Sequence, residues 1–470
     1  MRKFITLALL FGANLPAFAS DGSLDTTFGS SGVGLTGLTD AFGNGAYGPV
    51  IQPDGKILIC DTRKSNGTSG QDFFVARFNA NGTLDTSFSF DGKVTIDFDG
   101  GTGADTCTAI ALQADGKIVI AGATYDASNN SDFAIARLNS DGTLDTTTFG
   151  AGTGKTTVAF DLGGTNRDEA SALVIQPDGK ILIAGTVQTA SNGNDFGVVR
   201  LNADGTRDSS FNLTGKVSIG FNLAGSATKN DTVTGMALDA AGNIVIAGYA
   251  DNGNLSNDFA VARLLPNGQL DPNFDADGRV TVAFDLGGST GSNNDLATGL
   301  TIQRDGKILL FGASDTSTST TTNFDVAAAR LYPDGSLDGS FGIGGKTLVS
   351  FDLIANGLDV AVGAAEQSNG KIVLTGYSLY SSTPYAVKAT AMRLNRDGTP
   401  DNQFGNLGKQ VFDFGLGSPD TQVFRGVAFQ GNQIIASGAA VVPGGTSNNL
   451  NLDDFVVRLK NDLIFADEFE

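Results

Sequence analysis

The sequence predicts an all-β fold, a seven-bladed β-propeller of four-stranded blades, on three observations. A turn, Asp141-Gly142-Thr143-Leu144-Asp145 with Phe149 after it, recurs as Asp21–Phe28, Asn81–Phe88, Asp204–Phe211, Asn267–Phe274, Asp334–Phe341 and Asp397–Phe404, in steps of 60, 60, 63, 63, 67 and 63 residues. Between turns lie four short apolar runs and no helical pattern, so each repeat reads as one small sheet. The chain ends complement each other: the last sheet lacks a fourth strand, and a spare strand lies at the N-terminus. Pairing the two closes a ring and removes an open edge. An open solenoid would need polar capping repeats, and neither end has one.

The elements follow in order from each turn. The first run, d, is Gly92–Phe98, Gly154–Phe160, Gly215–Phe221, Gly278–Phe284, Gly345–Phe351 and Gly408–Phe414, with a worn copy at Gly32–Leu38. It alternates Val, Ile and Phe with Thr, Ser and Asp, as a half-exposed strand does. After a Gly-rich loop comes run a, such as Ala172–Gln176, then Pro177-Asp178-Gly179-Lys180 and run b, Ile181–Gly185. Asp-Gly between apolar runs marks a hairpin, because Gly takes the positive φ of the turn. Further copies of this hairpin lie at 49–61, 109–122, 235–248, 299–312, 363–376 and 426–438. Runs a and b are both apolar at successive positions, which predicts burial on both faces. Run c, such as Asp132–Leu138, ends on an Arg and leads into the next turn.

The domain is expected to span residues 20–460. Before it, Arg2 and Lys3, the apolar stretch Phe4–Phe11 and Ala17-Phe18-Ala19 have the layout of a signal peptide over residues 1–19, which predicts a secreted or periplasmic protein. No segment is apolar for about 18 residues, so no transmembrane helix is expected. The tail, 461–470, contains Leu463–Glu470, which resembles the short endings of some exported bacterial proteins; it also reads as a degenerate turn, with Phe469 eleven residues past Arg458. Net charge is −20, and a surface of that sign repels phosphate backbones, which argues against nucleic acid.

The pattern LNADGTLDTTFG, GKVTxDF, ALxxQPDGKIxxAG and DFAxARLN, seven times in register, resembles the delta-60 repeat family of bacterial β-propellers. The resemblance covers residues 21 to about 460. Three departures stand out: Asp325 follows Phe324 where Asp elsewhere precedes Phe, Tyr385 replaces the Phe, and Gly431-Asn432-Gln433 shortens the last a–b turn. The resemblance implies a fold and little about activity, because the family is defined by its repeat.

With run a innermost, the a–b and c–d turns share one face and the d–a and b–c loops the other. The b–c loops vary most, over Arg63–Gln71, Tyr125–Ser131, Val187–Asn194, Tyr249–Asn257, Ser314–Asn323, Ser378–Pro384 and Val441–Asp453. Variable loops on a rigid frame are where binding resides, although they also drift where nothing constrains them. The d–a loops carry Asp105, Asp168, Asp231, Asp295 and Asp359 at one repeated position, with Asn44 and Gln422 in the remaining blades. Such an acidic ring could bind a cation or a basic ligand group. Loop capping is the alternative, favoured because the position repeats.

The turn Asn139–Asp145 resembles a calcium loop but lacks its first acid, since Arg137 stands there. Calcium is the one ion the acids leave open; no other cofactor is read from the sequence. Arg77 to Asp85, Arg137 to Asp145, Arg200 to Asp208, Arg263 to Asp271, Arg330 to Asp338 and Arg393 to Asp401 are each eight apart. Each Arg is expected to fork onto its Asp and latch the turn. Arg458 is expected to find Asp25 across the closure, or Asp467 in the tail. Cys60 and Cys107 fall on neighbouring blades near the loop face, where a disulfide is possible in an exported chain.

The sequence has no His and no Trp. The first excludes Ser-His-Asp and Cys-His chemistry; the second removes the usual aromatic platform of a sugar site. The expectation is a non-catalytic, monomeric binding scaffold for a protein or surface glycan. The alternatives are a glycan-binding or calcium-assisted adhesion module and, behind it, a carboxylate-based glycoside hydrolase. A hydrolase requires one acid pair at non-repeated positions facing each other in the channel.

Overall fold

The computed structural model describes residues 21–38, 45–64, 70–98, 100, 103–190, 193–223, 229–253, 256–286, 293–317, 323–417, 420–443 and 451–461. The expected signal peptide at 1–19, Asn44, Asp467 and Leu463–Glu470 lie outside these residues. Seven four-stranded antiparallel sheets make up the fold. Blade 1 runs Tyr47–Ile51, Ile57–Lys64, Gln71–Phe78 and Lys93–Ile96 as strands a to d, and blade 2 runs Asp105–Leu112, Ile118–Tyr125, Ser131–Leu138 and Lys155–Val158. The same order repeats through blade 6, which ends on Lys409–Val411. Blade 7 takes a, b and c from Gln422–Gln430, Gln433–Val441 and Leu452–Leu459, and its d strand from Val33–Leu35. The closing register is Val33↔Val457 and Leu35↔Phe455, so the chain ends complete the seventh sheet, and the outer edge of each blade is a short d strand.

Strand b is buried along most of its length, as in Ile118–Ala123. Strand a instead alternates buried and half-buried residues from Asp105 to Leu112. The expected two-sided burial therefore holds for b and not for a, whose inner face lines the channel. Apolar layers sit between blades: Phe133 and Ile135 of blade 2 pack with Ala170, Ile181 and Ile183 of blade 3. At the closure, Ile435 and Val456 of blade 7 pack with Ile57, Ile59 and Phe74 of blade 1. Each fully buried Phe in such a layer contributes about 1.5–3 kcal/mol.

Several b–c connections are shorter than the apolar runs imply. In blade 4 the strands are Ile244–Gly253 and Ser256–Leu264, and in blade 6 Ile372–Ser382 and Tyr385–Leu394. Most of the expected loops Tyr249–Asn257 and Ser378–Pro384 are thus paired strand. The ladder needs only backbone groups, so it continues into polar sequence beyond the core.

Register also corrects two departures. Asp325 pairs with Ser314 as Asp132 pairs with Thr124, so Asp325 keeps the common place and the Phe has moved. Ala389 pairs with Tyr377 as Phe133 pairs with Ala123, so Ala389 stands in the Phe place, and Tyr385 is an exposed strand start.

Candidate functional site

The recurrent turn is a latch. Arg77 Nε meets Asp85 Oδ2 at 2.7 Å, and its guanidinium carbon lies 4.6 Å from the centre of the Phe88 ring. Corresponding Nε–Oδ2 distances are 3.0 Å for Arg137–Asp145, 2.8 Å for Arg200–Asp208, 2.9 Å for Arg263–Asp271, 2.7 Å for Arg330–Asp338 and 2.6 Å for Arg393–Asp401. Arg458 reaches Asp25 across the closure at 2.8 Å. Arg77, Arg137, Arg200, Arg263 and Arg330 also reach a carbonyl of the following blade's turn: Arg77 Nη1 donates to Ser140 O at 2.5 Å, and Arg200 Nη1 to Pro266 O at 2.5 Å. The latch therefore pins its own turn and the next one.

The Gly of each turn is fitted to this. Gly142 has φ +90°, and a Cβ there would lie 2.9 Å from the Phe88 ring. Only Gly combines that backbone with that approach. The acids are fully engaged. Asp141 Oδ1 accepts from Thr143 N at 2.9 Å and Thr143 Oγ1 at 2.7 Å, and Asp145 Oδ2 also holds Lys117 at 2.7 Å. Burial opposes ionisation of Asp145, but hydrogen bonds from Lys117, Thr148 and Thr147 outweigh it and hold the carboxyl well below the usual range. A turn so occupied is a packed Asx turn.

The acidic ring is not presented at the channel mouth. Asp105, Asp168, Asp231, Asp295 and Asp359 are between 0% and 2% exposed. Each accepts the backbone N–H of the Phe that closes the preceding d strand: Phe98 to Asp105 at 2.7 Å, Phe160 to Asp168 at 2.6 Å, Phe221 to Asp231 at 2.7 Å, Phe284 to Asp295 at 2.5 Å and Phe351 to Asp359 at 2.6 Å. In blade 7 the Gln422 amide oxygen does this for Phe414 at 3.2 Å. A d strand ends with an unpaired donor, and the next blade supplies its acceptor. Burial is the main cause that pushes Asp231 up to about 7 and Asp295 to about 6.

The most irregular place is the seam between blades 7 and 1. In strand b, other blades have a Gly where blade 1 has Asp61; at Gly122 a Cβ would lie 1.8 Å from Thr106 O. Blade 1 admits the side chain because strand a breaks register between Tyr47 and Val50 and starts later. Opposite, Asp454 pairs with Ala439 as Phe133 pairs with Ala123, so it stands in the Phe place. Asp61 and Asp454 are 1% and 0% exposed. Arg63 Nη2 meets Asp454 Oδ2 at 2.5 Å. Burial, then the charge of Asp454, push the Asp61 carboxyl well above its ordinary range. This is an acid pair at non-repeated positions, but it lies on strands b and c between blades, not on the a strands that line the channel. Sequence reading missed it, because the change is visible only once strands are set in register. The structure joins Cys60, one residue before Asp61, to Cys107 of blade 2, with Cα atoms 6.3 Å apart.

Six segments, 52–88, 113–147, 176–211, 242–274, 303–341 and 367–404, match the repeat described as domain of unknown function (DUF5122) β-propeller. No curated protein matches the chain. Among solved structures, a protein of unknown function from Dyadobacter fermentans is 14% identical, with 75% of this chain and 95% of that one covered at a TM-score of 0.41. An α-L-arabinofuranosidase from Fusarium graminearum is 12% identical over 74% and 91%, at 0.42. A polysaccharide lyase of family PL25, an ulvan lyase, is 10% identical over 91% and 96%, at 0.43. The matched repeat is described by its β-propeller fold and by no chemistry.

Proposed function

We propose that this DUF5122 propeller is an exported, non-catalytic binding protein of the delta-60 class, which presents its d–a and b–c loop face to a protein or cell-surface glycan. One observation supports this above the rest: the two faces differ in what their side chains do. On the turn face the repeated acids are taken up by Arg, Lys and backbone partners within the latches. On the loop face the b–c connections differ from blade to blade, from 383–384 in blade 6 to 442–451 in blade 7. Variation on one face of a frame so heavily tied on the other is the pattern of a recognition surface. A monomer, secreted or periplasmic and without a resident organic cofactor, belongs to the same reading.

The test replaces 316–323 and, separately, 442–451 with two-residue turns and measures binding of labelled protein to the surface of the producing bacterium. Retained melting temperature with lost binding is expected from at least one replacement. Binding that survives both, and is lost on charge reversal at the exposed turn-face residues Asp54 and Asp178, would place recognition on the opposite face. A calcium-assisted form of this reading is favoured by the acids gathered on the loop face at two blade junctions.

A further inference from the structure

On the turn face, a cavity of about 370 Å³ opens between blades 5 and 6. The a–b turn of blade 5 lends it Arg304 and Lys307, and the blade 5 latch lends Arg330. Blade 6 lends Glu366 from the end of strand a and Arg396 from its c–d turn. Four cations around one cavity are unexpected in a chain of net charge −20.

Three of these side chains are exchanges in the repeat. Arg304 is the second residue of its a–b turn, where Pro53, Ala114, Pro177 and Ala240 stand in blades 1 to 4. Arg396 lies three residues past its latch arginine, where Ala80, Ser140, Ala203, Pro266 and Pro333 stand in blades 1 to 5. Glu366 pairs with Ile372 as Ile302 pairs with Ile308, and every other blade has an apolar residue at that place. Unconstrained drift would scatter such exchanges around the ring. Here three separate elements each place one charged side chain on the same cavity.

Partners separate the structural charges from the free ones. Arg330 meets Asp338 at 2.7 Å, and Lys307 meets Asp338 at 3.1 Å and Asp305 at 3.3 Å. Those two cations and two acids cancel. Glu366 Oε2 accepts from Arg304 N at 2.8 Å, but its carboxylate meets no cationic side chain among the described residues. The Arg304 guanidinium has no hydrogen bond or ion pair among the described residues. Arg396 commits only its Nε, to Asn369 O at 2.6 Å. It lies so close across that turn that a Cβ on Gly370 would be 2.3 Å from the Nε. The contact fixes the guanidinium and leaves both Nη groups free. Two guanidiniums against one carboxylate leave the cavity a net charge of +1.

A guanidinium forks onto two oxygens of one acid group, and a pair of them suits a carboxylate or a sulfate ester. A net +1 is balanced by a monoanion and exceeded by a phosphate dianion. Glu366 keeps lone pairs beyond the one given to Arg304 N, so it accepts from hydroxyls on the same ligand. The volume falls near the low end of ligand pockets, about 300–1,000 Å³, which suits a sugar unit. We propose that this cavity binds a monoanionic sugar unit, with Arg304 and Arg396 on its acid group and Glu366 on its hydroxyls. The site lies on the face opposite the variable loops and does not depend on their role.

The test is calorimetric titration of the full chain at low salt with D-glucuronate, glucose 6-sulfate, glucose and inorganic phosphate. Glucuronate or the sulfate ester is expected to bind at least tenfold more tightly than glucose and phosphate, and the tighter of the two names the acid group. Arg304→Ala and Arg396→Ala install what blades 4 and 3 carry as Ala240 and Ala203, so both are expected to keep the wild-type melting temperature. Each is expected to weaken the preferred ligand at least tenfold. Glu366→Gln raises the cavity charge, so phosphate is expected to gain on the monoanion. Replacing 442–451 is expected to leave the titration unchanged, and a loss there would move the ligand to the loop face. Wild type that binds neither monoanion better than glucose, or a folded Arg304→Ala protein that binds as wild type does, overturns the site.

Discussion

Replacing Asp231 by Asn measures what it takes to hold a carboxylate at a blade junction. Asp231 is 1% exposed, and its Oδ2 accepts Phe221 N–H at 2.7 Å. An Asn keeps that acceptor in its amide oxygen and removes only the charge. Burial first, then the charges of Asp195 and Asp251, push the carboxyl up to about 7. An unperturbed Asp titrates at about 3.9, so the folded protein keeps this proton about 3 units further up the pH scale. The folded pKa is the higher one; its stabilising contribution is therefore complete below about pH 4 and is lost as pH rises through about 7. At about 1.36 kcal/mol per unit, the full loss is about 4 kcal/mol. With an unfolding entropy of about 2.1 cal/mol/K per residue over roughly 440 residues, that is about 4 °C if the ring melts as one unit. Scanning calorimetry in EDTA at pH 5 and pH 8 reads the difference directly. The melting temperature of Asp231→Asn relative to wild type should rise by about 3 °C between the two, because about 2 of those 3 units lie above pH 5. A constant difference across that range would refute the claim that a buried, protonated Asp231 closes strand d.

The latch predicts a graded series in chemical denaturation. Arg200→Met leaves Asp208 buried without its cation and should cost about 3–5 kcal/mol, whereas Arg458→Met, at the more exposed Asp25 pair, should cost about 1 kcal/mol; equal losses would dismiss burial as the deciding factor. Reducing Cys60–Cys107, which closes a separation of 47 residues, should lower stability by about 4 kcal/mol on the chain-entropy account, read as a melting shift absent from a Cys60→Ser, Cys107→Ser protein. Asp61, its folded pKa raised, contributes most at low pH and loses that contribution as pH rises; Asp61→Asn should therefore gain on wild type toward alkaline pH, and a parallel pH profile of the two proteins would contradict a protonated Asp61.

The parts of this fold that were legible in the sequence are the local ones. Arg77 and Asp85 stand eight apart, and that spacing suffices because Asp85 N donates to Arg77 O at 2.8 Å, which folds the intervening turn back on its own strand. The third arm of the same Arg was not legible. Its acceptor, Ser140 O, is 63 residues on, and only the radial stacking of blades brings it near. The acid ring was legible as a repeated position but not as a cap, because its partner is the last N–H of another blade's strand. Channel-facing alternation along strand a was hidden as well: half-buried Ala, Ile and Leu read as fully buried ones until the channel is there to expose one face.

Register decides which irregularities matter. Aligned on Phe, blades 5 and 6 look displaced, and Asp325 and Tyr385 draw the eye. Counted from the latch arginine, those displacements vanish and three others appear: Asp61 in place of a Gly, Asp454 in place of a Phe, and Lys388 in place of an Asp. Each puts charge where the other blades have none, or reverses its sign, at a position less than 10% exposed. A ring of near-identical blades satisfies the same buried groups in the same way, so an exchange of charge in one blade needs a compensating group nearby. Arg63 supplies it for Asp454, a proton for Asp61, and Asp413 with Asp420 for Lys388.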